Sequence, residues 1–118
     1  MKLAVVGSRD FSNYQLMEQV LSQWTDGGHI EEIISGGASG ADSLARDYAK
    51  EHNIPLIEFL PNWKLYGKSA GPLRNKDIVD RADEVVAFWN GVSAGTKSTI
   101  DLAKKSGKPC KIIKYYRN

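Results

Sequence analysis

At 118 residues, with 42% hydrophobic and 25% charged side chains, the chain reads as one globular domain, 1–118, able to bury a core without disulfide or metal staples. Sixteen basic residues against fourteen acidic leave +2, which argues against nucleic acid or an anionic membrane as a partner on charge alone. The single Cys110 has no cysteine to pair with and His29 and His52 lack ligand spacing, so no metal and no cofactor is expected. Nor does any apolar run have the length of a membrane span or the form of a signal peptide; no membrane is expected, and the expected compartment is the cytoplasm.

In chain order, "KLAVVG" (2–7) predicts a buried strand and Leu16, Met17, Val20, Leu21 and Trp24 a helical stripe. "EEIISGG" (31–37) predicts a second strand. The clearest helix follows, with Ala41, Leu44, Ala45, Tyr48 and Ala49 at helical spacing. "PLIEFL" (55–60) is a third strand, followed by a long connection and a helix marked by Ile78, Val79 and Ala82. "EVVAFW" (84–89), a helix through Thr96, Ile100 and Ala103, and "CKIIKYY" (110–116) complete the series. Ser12 with Gln15 and Ser39 with Asp42 form capping-box patterns, Pro72 suits a first turn, and Gly107 before Pro109 suits a stop. Lys104, Lys105, Lys108, Lys111, Lys114 and Arg117 crowd the end of the chain and read as a solvated face. Cys110 reads as a small hydrophobe in the last strand.

Strands alternating with helices predict an α/β fold: a Rossmann-like three-layer sandwich with a five-stranded, mainly parallel sheet and helices on both faces. Ligands of such folds bind beyond the carboxyl ends of the strands, where the strand order reverses. The segments expected there are "GSRDFS" (7–12), "SGGASGAD" (35–42) and "WNGVSAGTKST" (89–99), all combining glycine with hydroxyl side chains.

A helix N-terminus offers free N–H groups and the positive end of its dipole to an anion, and glycine lets backbone come close to a phosphate. Gly7, Ser8 and Arg9 from the first loop are therefore candidate ligand-binding residues, with Arg9 supplying charge. Ser35, Gly36, Gly37, Ala38, Ser39, Gly40 and Asp42 are candidates from the second, and Gly91, Ser93, Gly95, Thr96 and Thr99 from the third. Simple turns and helix caps account for the same residues one loop at a time; three such loops on one edge favour a phosphate cradle. "GVSAGTKS" is not a P-loop, since three residues rather than four separate its glycines and Thr96 precedes the lysine.

The connection "LPNWKLYGKSAGPLRNKDIV" (60–79) is long for a compact domain. Its Trp63 and Tyr66 can stack on a base, form part of a lid, or pack against the domain or a second subunit. Arg74 and Asn75 add nothing to an apolar stripe and join the candidate site.

Taken together, "VVGSRDF", "SGGASGAD", "AGPLRN" and "WNGVSAGTKSTIDLAKKSGKP" resemble the YspA-like branch of the SLOG superfamily, Rossmann-like domains related to the LOG phosphoribohydrolases and to the DNA-processing protein DprA. The resemblance implies a nucleotide or nucleotide-derived ligand held by the glycine-rich helix starts, with the domain acting as a sensor or binding module. It also implies a homo-oligomer, a dimer, as among LOG relatives. The alternative it offers is nucleoside-monophosphate phosphoribohydrolase activity. The LOG pattern P-G-G-x-G-T-x-x-E is matched at Gly95 and Thr96, but Thr99 stands in the place of its glutamate and Trp89-Asn90-Gly91 in the place of Pro-Gly-Gly. Asp42 and Arg74 are then the candidate catalytic residues, with Asp10 a further carboxylate. Single-stranded DNA processing of the DprA kind is the third reading, and the low net charge speaks against it.

Overall fold

The computed structural model describes residues 1–116; Arg117 of the basic cluster and the last residue of the expected domain lie outside the described residues. The elements are β1 (Lys2–Gly7), α1 (Tyr14–Thr25), β2 (Glu32–Ser35), α2 (Ala41–Glu51), β3 (Leu56–Glu58), α3 (Trp63–Tyr66), a 3-10 turn (Gly67–Ser69), α4 (Ala70–Arg81), β4 (Glu84–Trp89), α5 (Ala94–Lys105) and β5 (Cys110–Lys114). All five strands are parallel, in the order β3-β2-β1-β4-β5. The chain starts in the middle of the sheet, builds outward to β3, then crosses back to the other side of β1. That reversal leaves the carboxyl end of β1 flanked by loops from both halves.

Side chains alternate across a strand, and burial on both faces turns β1, β2 and β4 into apolar runs. Leu3, Val5, Ile33, Val86 and Phe88 pack with Met17 and Leu21 of α1 and Ala45 and Tyr48 of α2. Their neighbours Ala4, Val6, Ile34, Val85 and Ala87 pack on the other face with Ile78 and Val79 of α4 and Ile100 and Ala103 of α5. The two edges differ from the expected runs: β3 keeps only three residues and β5 is partly exposed, because an edge strand has a neighbour on one side only. Cys110 packs against the second cluster, and burial pushes its thiol above its ordinary value, as befits an inert small hydrophobe.

Local signals were read correctly at some helix ends and not at others. Gly107 adopts a positive φ of 72° just after α5, as the stop signal requires. α1, however, is capped by Asn13, whose side chain accepts from the Leu16 amide at 3.0 Å, not by Ser12. The N-cap of α2 is Gly40, and Ser39 stands exposed with no hydrogen-bond partner among the described residues. α3 lies within the segment expected as a plain connection; four residues are too few to display a helical period. Among the described residues no helix is long and apolar enough to cross a membrane.

Candidate functional site

Four connections meet at the carboxyl edge of the sheet: those following β1, β2, β3 and β4. Beside the end of β1 they leave a cavity of about 100 Å³. Gly7 and Arg9 reach it from the first connection, and Gly36, Ala38 and Asp42 from the second. Arg74 and Asn75 line it from α4, while Ser93, Gly95, Thr96 and Thr99 come from the start of α5. The structure thus gathers most of the predicted site residues around one opening, although they come from both halves of the chain.

Arg74 organises the cavity. Its Nη1 donates to the carbonyl of Gly36 at 2.6 Å and to that of Phe59 at 3.4 Å, and its Nε donates to Asn75 Oδ1 at 3.0 Å. One side chain therefore ties α4 to the ends of β2 and β3. Nη2 has no hydrogen-bond partner among the described residues. Burial pushes the guanidinium below its ordinary value, and Arg9 adds like-charge repulsion against the attraction of Asp42. A Cβ on Gly36 would stand 2.4 Å from Arg74 Nη1, so glycine here makes room for the guanidinium. Gly40 serves the fold in the same way. Its φ is 73° and an added Cβ would meet the Arg9 carbonyl oxygen at 2.4 Å, which lets the first two loops touch.

Asp42 is 6% exposed, and its Oδ2 accepts from the Ala38 amide at 3.1 Å instead of closing a capping box with Ser39. Burial raises its carboxyl above the ordinary 3.8, with Glu58 adding to the rise, while the Ala38 N–H, Arg74 and the Gly36 N–H oppose it. Arg9, by contrast, is exposed and has no hydrogen-bond or ion-pair partner among the described residues.

The hydroxyl groups are engaged with one another. Ser93 Oγ accepts from the Thr96 amide at 3.4 Å and from Thr96 Oγ1 at 3.1 Å, which starts α5. Ser8 Oγ lies 3.3 Å from Thr96 Oγ1 and accepts from the Asn90 amide at 3.2 Å, joining the first and last loops. Thr99, in the place of the LOG glutamate, is 2% exposed and donates to the Gly95 carbonyl at 3.3 Å. Ser35 Oγ accepts from the Gly37 amide at 3.4 Å. Ser8, Ser35, Ser39, Gly40 and Gly91 do not line the cavity. Asp10 turns away from it toward Asn90, whose Nδ2 donates to it at 3.2 Å, and toward the hydroxyl of Tyr115.

A second, open groove of about 250 Å³ continues from the cavity and shares Arg9, Gly36, Ala38 and Arg74 with it. Gly37, Leu60, Pro61 and Trp63 complete its walls. From the sequence alone, Trp63 has stacking and packing open to it. The structure puts it outside both core clusters, 52% exposed. Tyr66, 50% exposed, does not line the groove. The signal for this face was present but diluted: its two cations, Arg9 and Arg74, lie far apart in the chain and vanish in a net charge of +2.

Comparison with known proteins agrees with the fold and corrects the partner. Residues 1–66 match the profile of the YspA, cpYpsA-related SLOG family. The gene 61 protein of Mycobacterium phage D29 is 36% identical over 83 residues, which are 65% of this chain and 66% of that protein. A DNA processing protein A from Helicobacter pylori, solved for its single-stranded DNA binding mode, superposes with a TM-score of 0.73 at 20% identity, covering 95% of this chain and 64% of that one. The chain therefore spans less than two thirds of either relative's length.

Two expectations fall. The low net charge made nucleic acid an unlikely partner, yet a protein of this fold binds single-stranded DNA. The expected nucleotide-derived ligand has no support: the family profile names no ligand, and the structural neighbour was solved for its binding of single-stranded DNA. The cavity of about 100 Å³ by itself falls short of the roughly 300–1,000 Å³ of sites that enclose small molecules. The phosphoribohydrolase alternative falls with it, since Thr99 is buried in the helix where that reaction's glutamate would stand. Profile, fold and site together place this chain in the YspA, cpYpsA-related SLOG family.

Proposed function

We propose that this chain binds single-stranded DNA across the carboxyl edge of its sheet, with Arg9 and Arg74 gripping the phosphodiester backbone. The observation that carries the reading is Arg9, an exposed cation with no ion-pair partner among the described residues, beside the half-buried Arg74 on one cavity. Guanidinium groups suit phosphate because their planar forks donate two parallel hydrogen bonds. A cavity of about 100 Å³ admits a phosphate but not a whole nucleotide, while the adjoining groove stays open for the strand to pass. The single-stranded DNA binding of a structural neighbour supports the reading.

The test is fluorescence anisotropy of a labelled single-stranded oligonucleotide at increasing salt. The logarithm of the affinity is expected to fall linearly with the logarithm of salt concentration. Arg9→Ala should make that slope shallower by about 0.7, the share of one phosphate contact on a single strand. Absence of binding at low salt, or an unchanged slope in Arg9→Ala, would sink the proposal.

A further inference from the structure

Of the three tryptophans, two are fixed by the fold. Trp24 Nε1 donates to Glu84 Oε2 at 3.2 Å, and Trp89 Nε1 donates to the Ser93 carbonyl at 3.1 Å. Both pack against a core cluster. Trp63 has neither: its indole N–H has no partner among the described residues and 52% of its surface is exposed. It is nevertheless held in place. It opens α3 behind Asn62, whose Oδ1 accepts from the Leu65 amide at 3.1 Å. The tip of its ring rests against α4 at Gly71, where an added Cβ would sit 3.5 Å from Cη2. The result is an anchored aromatic surface left open to water, in one groove with both arginines.

We infer that Trp63 is the stacking platform for one unpaired base of the bound strand, next to the nucleotide linkage held by Arg9 and Arg74. This inference rests on the single-stranded DNA reading above and gives it a chemistry: phosphate on the cavity, base on the indole. An aromatic face takes any base, because every base has a π-face, but takes it only when the base is unstacked. Trp63 thus supplies preference for single over double strand without preference for sequence. The arginines alone would not do so, since a duplex offers the same phosphates but no free base face.

The experiment compares a short oligothymidylate with an abasic oligomer carrying the same number of phosphates, by anisotropy, for the unaltered protein, Trp63→Ala and Trp63→Phe. The unaltered protein should bind the thymidylate strand about ten-fold more tightly or better. Trp63→Ala should abolish that difference without changing affinity for the abasic strand or the salt slope, and Trp63→Phe should recover part of it. An unchanged thermal midpoint in Trp63→Ala is expected, since the residue lies outside the core, and confirms that folding is intact. Equal affinity of the unaltered protein for the two strands overturns the base platform while leaving the phosphate reading standing. Equal losses on both strands in Trp63→Ala overturn it as well, because the indole would then only shape the groove. Failure of both strands to bind at low salt overturns both readings together.

Discussion

Gly36 is the point where backbone and guanidinium compete for one volume, since any Cβ there would fall 2.4 Å from Arg74 Nη1 and 3.0 Å from Asp42 Oδ2. Gly36→Ala is expected to destabilise the fold by roughly 1–3 kcal/mol, the usual cost of overpacking, and to weaken oligonucleotide binding by displacing Arg74. Urea unfolding and anisotropy measure the two effects. Asp42 supplies a pH-dependent counterpart. Its folded-state carboxyl titrates above the ordinary value, chiefly through burial. Stability from this group is therefore complete below the unfolded value of 3.8 and declines as pH rises through the folded one. Asp42→Asn keeps an acceptor for the Ala38 amide and removes the charge. Relative to the unaltered protein it should gain stability between pH 4 and pH 7; thermal midpoints of both proteins over that range check the sign, and a relative loss would contradict it.

At the scale of elements, periodic segments were legible and their ends were not. Stripes such as Met17–Val20–Leu21 and Ala45–Tyr48–Ala49 are buried as the helical spacing requires, because burial of one face follows from sequence alone. Capping depends on backbone angles at single residues. Both Ser12 and Ser39 fit a capping box by type, yet Asn13 and Gly40 occupy the N-cap positions. The serine that does cap is Ser93, through the Thr96 amide. Ser93→Ala is accordingly expected to cost about 1 kcal/mol, while Ser39→Ala should change stability little. Equal losses in denaturant unfolding would show that the second helix is capped otherwise than described. The hydrogen bonds that tie Ser8 and Ser93 to Thr96 were not legible, because a residue's own neighbours across the sheet are invisible in the sequence.

At the scale of the whole molecule, alternation of strand and helix carried the architecture, and the strand-end rule located the candidate edge. Arg9 and Arg74 were both expected at one site, but the geometry that joins them was not legible. It follows from the order β3-β2-β1-β4-β5, which brings the end of β1 under α4 although 65 positions separate the arginines in sequence. Net charge misled for a related reason: a sum over the chain carries no position, whereas Arg9 and Arg74 line one cavity. Binding by such a surface is set by local field, not by the total.

The place where a strand of DNA sits is directly measurable. Titration of the labelled protein with a short single-stranded oligonucleotide, followed by amide chemical shifts in NMR, measures that position residue by residue. DNA bound across the carboxyl edge should shift Arg9, residues 36–38, Trp63 and residues 74–75, with the amino edge of the sheet unmoved. Shifts confined to the α5–β5 lysines, or none at low salt, would contradict it.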